Sequence, residues 1–383
     1  MRCTAGSAMR GSVLASYLVL ISACGGAAKP AAIGYAMAGA LPDAGDVAEM
    51  ALDSLRQSGM PAIRVTAGDS ATSPRPGGGL VGEVDKALRF AANPEIVAVV
   101  GPGGSREALQ TAPIYGQAKL PNIAPTSTSR LLHQAGSWTF MMAADDSVQG
   151  EFIGSFVAEQ LAAQSALLFY IPDEYGLGLA TGTTSALGRR GVRLLDRIAI
   201  RTRQPCPPQG PGNPYEPAVA AALHDVRPNV IIIAGRTIEA ACIAQAVFAR
   251  VPSIRFVLGD GVLVDQQFLQ VAGAGADSMY IVSFWHPSRP DPGSRGFVAR
   301  FTAMVGRPPR HDDAMFYDAV MLMGTAIRSA GAERAAVRDY LASLGRTRPP
   351  YQGITGPIAF TDEAHRPLLM TRIRAGRTEV LPP

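Results

Sequence analysis

"IVAVVGPGGSREAL", Ile96 to Leu109, runs from a continuous β-branched stretch through a glycine-rich loop into a helical pattern. An all-apolar run of this length suits a strand covered on both faces, the habit of parallel sheets. The loop then opens a helix whose free N–H groups and dipole favour an anion. A dinucleotide fingerprint needs a third glycine, and Arg106 stands there. A phosphate-cradling loop needs Gly-Lys-Ser/Thr, and the stretch has no lysine. A small anion such as a carboxylate remains, with Gly103 and Gly104 letting backbone approach a ligand. The competing reading is that Ser105 only caps its own helix.

The same strand-then-helix alternation extends both ways. "AIGYAMAG" precedes the amphipathic "DVAEMALDSLRQSG", and "AIRVTAGD" precedes "GLVGEVDKALRFAANP". Further on, "SALLFYIP", "VRLLDRIAIR", "NVIIIAG" and "RFVLGD" read as strands, each but the last with a helical pattern behind it. Such alternation predicts an α/β protein with parallel sheets flanked by helices. Beyond "MYIVSFW" the pattern is mainly helical, and the chain closes on the β-like "GPIAF" and "PLLMTRIRAG".

The chain has 383 residues, 47% of them hydrophobic, which suits one large or two medium globular domains. "MRGSVLASYLVLISACGG" offers a basic start, an apolar run near Val13–Ile21, small residues and a cysteine. It reads as a secretory signal, too short to stay in a bilayer as a spanning helix. "ISAC" resembles a bacterial lipobox, which makes Cys24 the lipidated first residue of the mature protein; the plainer alternative is an ordinary signal cut near Ala23 or Ala27. Setting aside Arg2 and Arg10 leaves 33 basic against 31 acidic residues, scattered and without aromatic interleaving. Nothing here points to nucleic acid. Cys206 and Cys242 remain downstream, in a compartment that can oxidise them.

Five stretches in order carry a resemblance: "VVGPGGS" (Val99–Ser105), "PNIAPTSTS" (Pro121–Ser129), "ADDSVQG" (Ala144–Gly150), "IPDEYGLGLA" (Ile171–Ala180) and "FVLGDG" (Phe256–Gly261). "MFYDAVMLMGTAI" around Tyr317 fits as well. The set resembles the periplasmic leucine/isoleucine/valine-binding protein family, substrate-binding lipoproteins of ABC importers, from about Ala32 to Gly376. The resemblance implies a type I periplasmic-binding fold: two lobes, each a mainly parallel sheet flanked by helices, joined by three hinge crossings near Ala143–Asp145, Ser283–Trp285 and Gly353–Ala359. Residues 1–23 are then the signal peptide and 24–31 a linker. Lobe 1 comprises 32–144 and 285–356, and lobe 2 comprises 145–284 and 357–383.

Carried over by position, Ser105 resembles the serine that meets the ligand carboxylate. Thr128 resembles the threonine that serves both ends of an amino acid through hydroxyl and N–H, and Thr126 the residue whose carbonyl meets the ammonium. Tyr175 resembles an aromatic wall on the second lobe, and Asp260 the acidic partner of the ammonium. The chemistry is coherent on its own terms, since charged groups taken from water must each find partners. The plainer readings stay open: Asp260 as half of an Asp-Gly turn, and Tyr175 and Trp285 as packing. Arg236 departs from the family's aromatics; it either pairs with an anionic group of the ligand or faces solvent at the rim. Cys206 and Cys242 follow strands at one sheet edge and suit a disulfide.

No enzyme is expected. The sequence has no Gly-x-Ser-x-Gly elbow and no histidine pair at i and i+4. "HDD" at His311–Asp313 reads as a solvated helix start, so no metal or cofactor is expected. The expectation is an exported, lipid-anchored solute receptor on the bacterial membrane surface, facing periplasm or exterior. It would bind an amino-acid-like small molecule and dock on ABC permease subunits; a sensor of the same fold is the alternative.

Overall fold

The computed structural model describes residues 31–36, 43–59, 63–67, 79–208, 210–361 and 367–382. The expected signal segment and Cys24 lie outside the described residues.

Two large sheets organise the chain. The first is five-stranded and wholly parallel, with β1 (Ala31–Tyr35), β2 (Ile63–Ala67), β3 (Ile96–Val100), β4 (Asn122–Ala124) and β5 (Thr139–Met141) in the order β2-β1-β3-β4-β5. The second repeats that order with β6 (Ser165–Tyr170), β7 (Arg193–Ala199), β8 (Val230–Ala234), β9 (Arg255–Leu258) and β10 (Met279–Ser283), as β7-β6-β8-β9-β10. The late chain adds two antiparallel pairings beside β10. β11 (Tyr351–Gly353) and β12 (Gly356–Ile358) form a small hairpin, and β13 (Leu369–Arg374) and β14 (Arg377–Val380) extend the second sheet.

Helices cover both faces of each sheet, which explains the unbroken apolar strands. In β8, Ile231 and Ile233 enter one core, while Val230, Ile232 and Ala234 enter the core on the opposite face. That is the period-two alternation of a strand with no solvent side. The first core includes α7 (Thr237–Phe248); the second includes α4 (Asp146–Ser155) and α5 (Glu174–Arg189). In the first sheet, α1 (Ala44–Gln57) and the long α10 (His311–Ala330) cover one face. Phe90 of α2 (Gly79–Ala92) and Tyr115 of α3 (Ser105–Gln117) cover the other. Each large apolar side chain buried this way contributes about 1.5–3 kcal/mol.

Helices α4 and α5 cross at backbone contact. A Cβ on Gly150 would fall 2.4 Å from the Gly182 carbonyl carbon, so only glycine allows the approach. The start of α4 is held beside the first sheet's edge, where the Asp146 N–H donates to the Thr128 carbonyl at 2.8 Å.

Three passages link the sheets. The chain leaves β5 at Met141 for α4 at Asp146; it leaves β10 at Ser283 for α9 (Pro292–Val305); and it leaves β12 at Ile358 for β13 at Leu369. The second passage is pinned by Trp285, which is 1% exposed, packs edge-on against Phe297 and donates from Nε1 to Ser294 Oγ at 3.3 Å. Trp285 is thus a packing residue. Among the described residues, no helix is long and apolar enough to cross a membrane.

Candidate functional site

In open α/β sheets a crevice forms beyond the strand C-termini where strand order reverses. Here the reversals fall between β1 and β3, and between β6 and β8. The loop after β3 leads to Ser105 and the loop after β4 carries Thr126 and Thr128. The loops after β6, β8 and β9 carry or lead to Tyr175, Arg236 and Asp260. Every candidate residue therefore sits at a strand's C-terminal edge.

Ser105 is the first residue of α3 and 3% exposed; the cap position is Gly104, with no side-chain cap. Its hydroxyl oxygen instead accepts the Thr128 N–H at 3.2 Å. The capping alternative for Ser105 therefore does not hold, and its own O–H remains a donor. Thr128 is fully buried and its hydroxyl has no hydrogen-bond partner. Its N–H, expected at the ligand, is directed to Ser105. Thr126 is half-buried and donates from Oγ1 to the Gly103 carbonyl at 3.1 Å. A Cβ on Gly103 would fall 2.8 Å from that hydroxyl and 3.1 Å from the Phe316 ring. The glycine thus serves loop packing first.

On the facing side, Asp260 is 5% exposed and its Oδ1 has no hydrogen-bond partner. Burial pushes its pKa up to about 6, against the opposing pull of His311 and the Tyr175 hydroxyl. Tyr175, in the first turn of α5, accepts the Gly261 N–H at 2.9 Å. Burial, then the Asp260 charge, holds its phenol well above the ordinary range. Tyr175 thus braces the Asp260 turn. Arg236 donates to Asp173 Oδ2 at 2.7 Å and lies over the Tyr175 ring, 5.5 Å from its centroid. Arg203 reaches the same carboxylate oxygen at 3.1 Å.

Three further polar residues meet this group. In "ADDSVQG", Asp145 caps α4 by accepting from the N–H of Ser147 and Val148. Asp146 then turns inward at 2% exposure, its N–H held by the Thr128 carbonyl at 2.8 Å. Burial raises its pKa well above the usual carboxylate value; the Thr128 hydroxyl opposes this and the charge of Asp260 adds to it. Gln149, one turn on, is fully buried with neither amide atom hydrogen-bonded, and it faces Asp260. The third is His311, and here the solvated helix start expected for "HDD" is overturned: His311 is 6% exposed and Asp313 fully buried. Burial opposes charge on His311, but Asp312 and Asp260 outweigh it and raise its pKa. Asp313 closes the start of α10 by accepting the Arg310 N–H at 2.8 Å and pairing with Arg307. These residues sit on helix starts that long-range packing carries to the edge; local sequence shows only polar residues at caps. Among the described residues, no cluster of three or more metal-ligating side chains occurs.

Cys206 and Cys242 form a disulfide with a Cα–Cα distance of 5.8 Å. It ties the loop after β7 to the second turn of α7, the helix that Arg236 caps.

Two parallel sheets of matching order, with polar groups gathered at their strand ends, define the type I periplasmic-binding fold. The chain belongs to the periplasmic binding protein family, whose profile matches residues 37–377. An amino acid binding protein of Pseudomonas aeruginosa is 24% identical over 283 residues, 73% of this chain and 71% of that one. The leucine-binding protein LivK of Thermotoga maritima, at 19% identity, superposes with a TM-score of 0.79 over 92% of this chain and 98% of that one. The branched-chain amino acid transporter substrate binding protein LivJ of Streptococcus pneumoniae, solved with isoleucine, gives 0.78 at 21% identity, over 93% of this chain and all of that one.

Proposed function

We propose that this protein is the extracytoplasmic solute receptor of an ABC importer and binds an amino acid or similar small carboxylate between its two sheets. One observation carries the reading: buried donors at Ser105 and Thr128 stand on one edge, and a buried, unpaired Asp260 oxygen stands on the other. The two ends of a zwitterion need that pairing of donors and acceptor. The relatives point the same way, since one is described as an amino acid binding protein and another was solved with isoleucine.

In this reading, 32–144 with 285–356 and 145–284 with 357–383 are lobes that close on the ligand. Closure follows the ligand's preference for the closed state. Ser105 and Thr128 take the carboxylate, the Thr126 carbonyl and Asp260 take the ammonium, and Tyr175 is the wall. Arg236 acts through Tyr175 and Asp173 rather than on the ligand. Cys24 anchors the mature chain to the membrane by a lipid; labelled fatty acid entering the wild type but not Cys24→Ser supports this, and equal labelling contradicts it. Native mass spectrometry of the purified protein, then calorimetry with amino acids, tests the whole reading. It predicts a bound amino acid whose affinity collapses in Asp260→Ala. Unchanged binding would remove Asp260 from the site.

A further inference from the structure

We infer that the ligand carries a second positive charge besides its α-ammonium, and that Asp146 together with Gln149 receives it. The inference rests on the amino acid reading above and narrows it to cationic amino acids.

The buried polar inventory is unbalanced. Asp146 is 2% exposed, and beyond the Thr128 hydroxyl that stands against it neither carboxylate oxygen has a hydrogen-bond partner; Gln149 is fully buried and, beyond the Asp260 carboxyl it faces, neither amide atom has one. Native interiors seldom leave such atoms unmet, so a missing partner of complementary chemistry is expected. Spaced three apart on α4, the two side chains share one helix face. The carboxylate lies directly over α5, where a Cβ on Gly178 would fall 2.2 Å from Asp146 Oδ2. Glycine at 178 leaves the carboxylate its place.

The charges around Asp146 do not neutralise it. The strongest electrostatic influences upon it are Asp260, Asp145 and Asp173, all acidic. Arg236, the basic residue expected in the cleft, is drawn off by Asp173 at 2.7 Å. His311 answers Asp260, but it also pairs with Asp312 at 2.8 Å. Two buried carboxylates thus face the site. A ligand carboxylate at the α3 start is met by N–H groups and a hydroxyl, which bring no full charge. A neutral zwitterion therefore satisfies one aspartate and leaves the other a buried carboxyl, held protonated and short of hydrogen-bond partners, a costly state. A second ammonium or a guanidinium removes that cost, and the Gln149 carbonyl accepts another of its N–H groups. An acidic side chain would face repulsion instead.

Calorimetry on the full mature chain, freed of co-purified ligand by unfolding and refolding, tests this with L-arginine, L-ornithine, L-citrulline and L-leucine. Citrulline matches arginine in length but ends in an uncharged ureido group. The expected result is that arginine or ornithine binds at least about 30-fold more tightly than citrulline, the order expected for a desolvated charge pair. Asp146→Asn should shrink that gap to about threefold or less while citrulline affinity barely moves. Binding of the cation should also release protons, read as different heats in two buffers, because a carboxyl held protonated by burial must ionise to pair. The wild-type comparison does not depend on how the variant folds. Citrulline or leucine binding as tightly as both cations overturns the inference and leaves the amino acid reading intact. Failure of all four ligands to bind overturns both.

Discussion

The Thr128 N–H donates to the Ser105 hydroxyl oxygen at 3.2 Å, joining the loop after β4 to the first residue of α3. This bond uses one lone pair of the serine oxygen and leaves its proton available to the carboxylate proposed to lie at this edge. Ser105→Ala removes both the acceptor and that donor. Affinity should fall about 10- to 100-fold, the range for a hydrogen bond to a charged group. Calorimetry checks it; a change below about twofold would mean that Ser105 holds only the loop.

Asp260 is buried with one carboxyl oxygen lacking a hydrogen-bond partner, and the fold bears a cost for it. Its folded pKa of about 6 exceeds the unfolded value, which lies near 4. An acid so raised stabilises the fold below the unfolded pKa, and that contribution is lost as pH rises through the folded pKa. Asp260→Asn should therefore unfold at a higher temperature than the wild type near pH 7, by on the order of 1–3 kcal/mol, with the gap closing below about pH 4. The same change should abolish tight ligand binding. In the wild type, affinity should weaken as pH falls through about 6, since the proton competes with the ligand ammonium. Thermal scans and titrations across pH read both effects.

Arg236 is committed to Asp173 and to the Tyr175 ring. Arg236→Gln should lower affinity modestly, about threefold to tenfold through a loosened Tyr175, and equally for ligands of different side-chain charge. A selective loss of acidic ligands, measured across an amino acid panel, would return Arg236 to direct contact.

The Cys206–Cys242 bridge spans a sequence separation of 36. Chain-entropy reasoning gives a loss of up to about 4 kcal/mol when a loop of that length is opened. Unfolding in reductant, or of Cys206→Ser with Cys242→Ser, should shift to markedly lower denaturant. Unchanged stability would show the bridge to be ornamental to the fold.

Sequence made the architecture visible because strands buried on both faces leave continuous runs such as "VIIIA", and the following helices leave 3.6-residue stripes. Ser105 and Asp260 were legible for a related reason: each lies just beyond such a run, at the edge where open sheets bind ligands. Three features escaped. Asp146 stands beside Asp145, and only the structure separates the capping aspartate from the inward one. His311 and Asp313 look like a solvated helix start until Ser283 and Phe284 meet His311 and Arg307 pairs with Asp313. Arg236 looked free because Asp173, its partner, is 63 residues away. All three depend on contacts between segments far apart in the chain, which local pattern does not encode.

The most direct measurement of the central claim is a crystal structure of the protein with its co-purified ligand. The account predicts a small molecule between the two sheets, its carboxylate about 3 Å from Ser105 Oγ and its ammonium equally close to an Asp260 oxygen. A ligand seated elsewhere, or one at this edge that touches neither Ser105 nor Asp260, would contradict it.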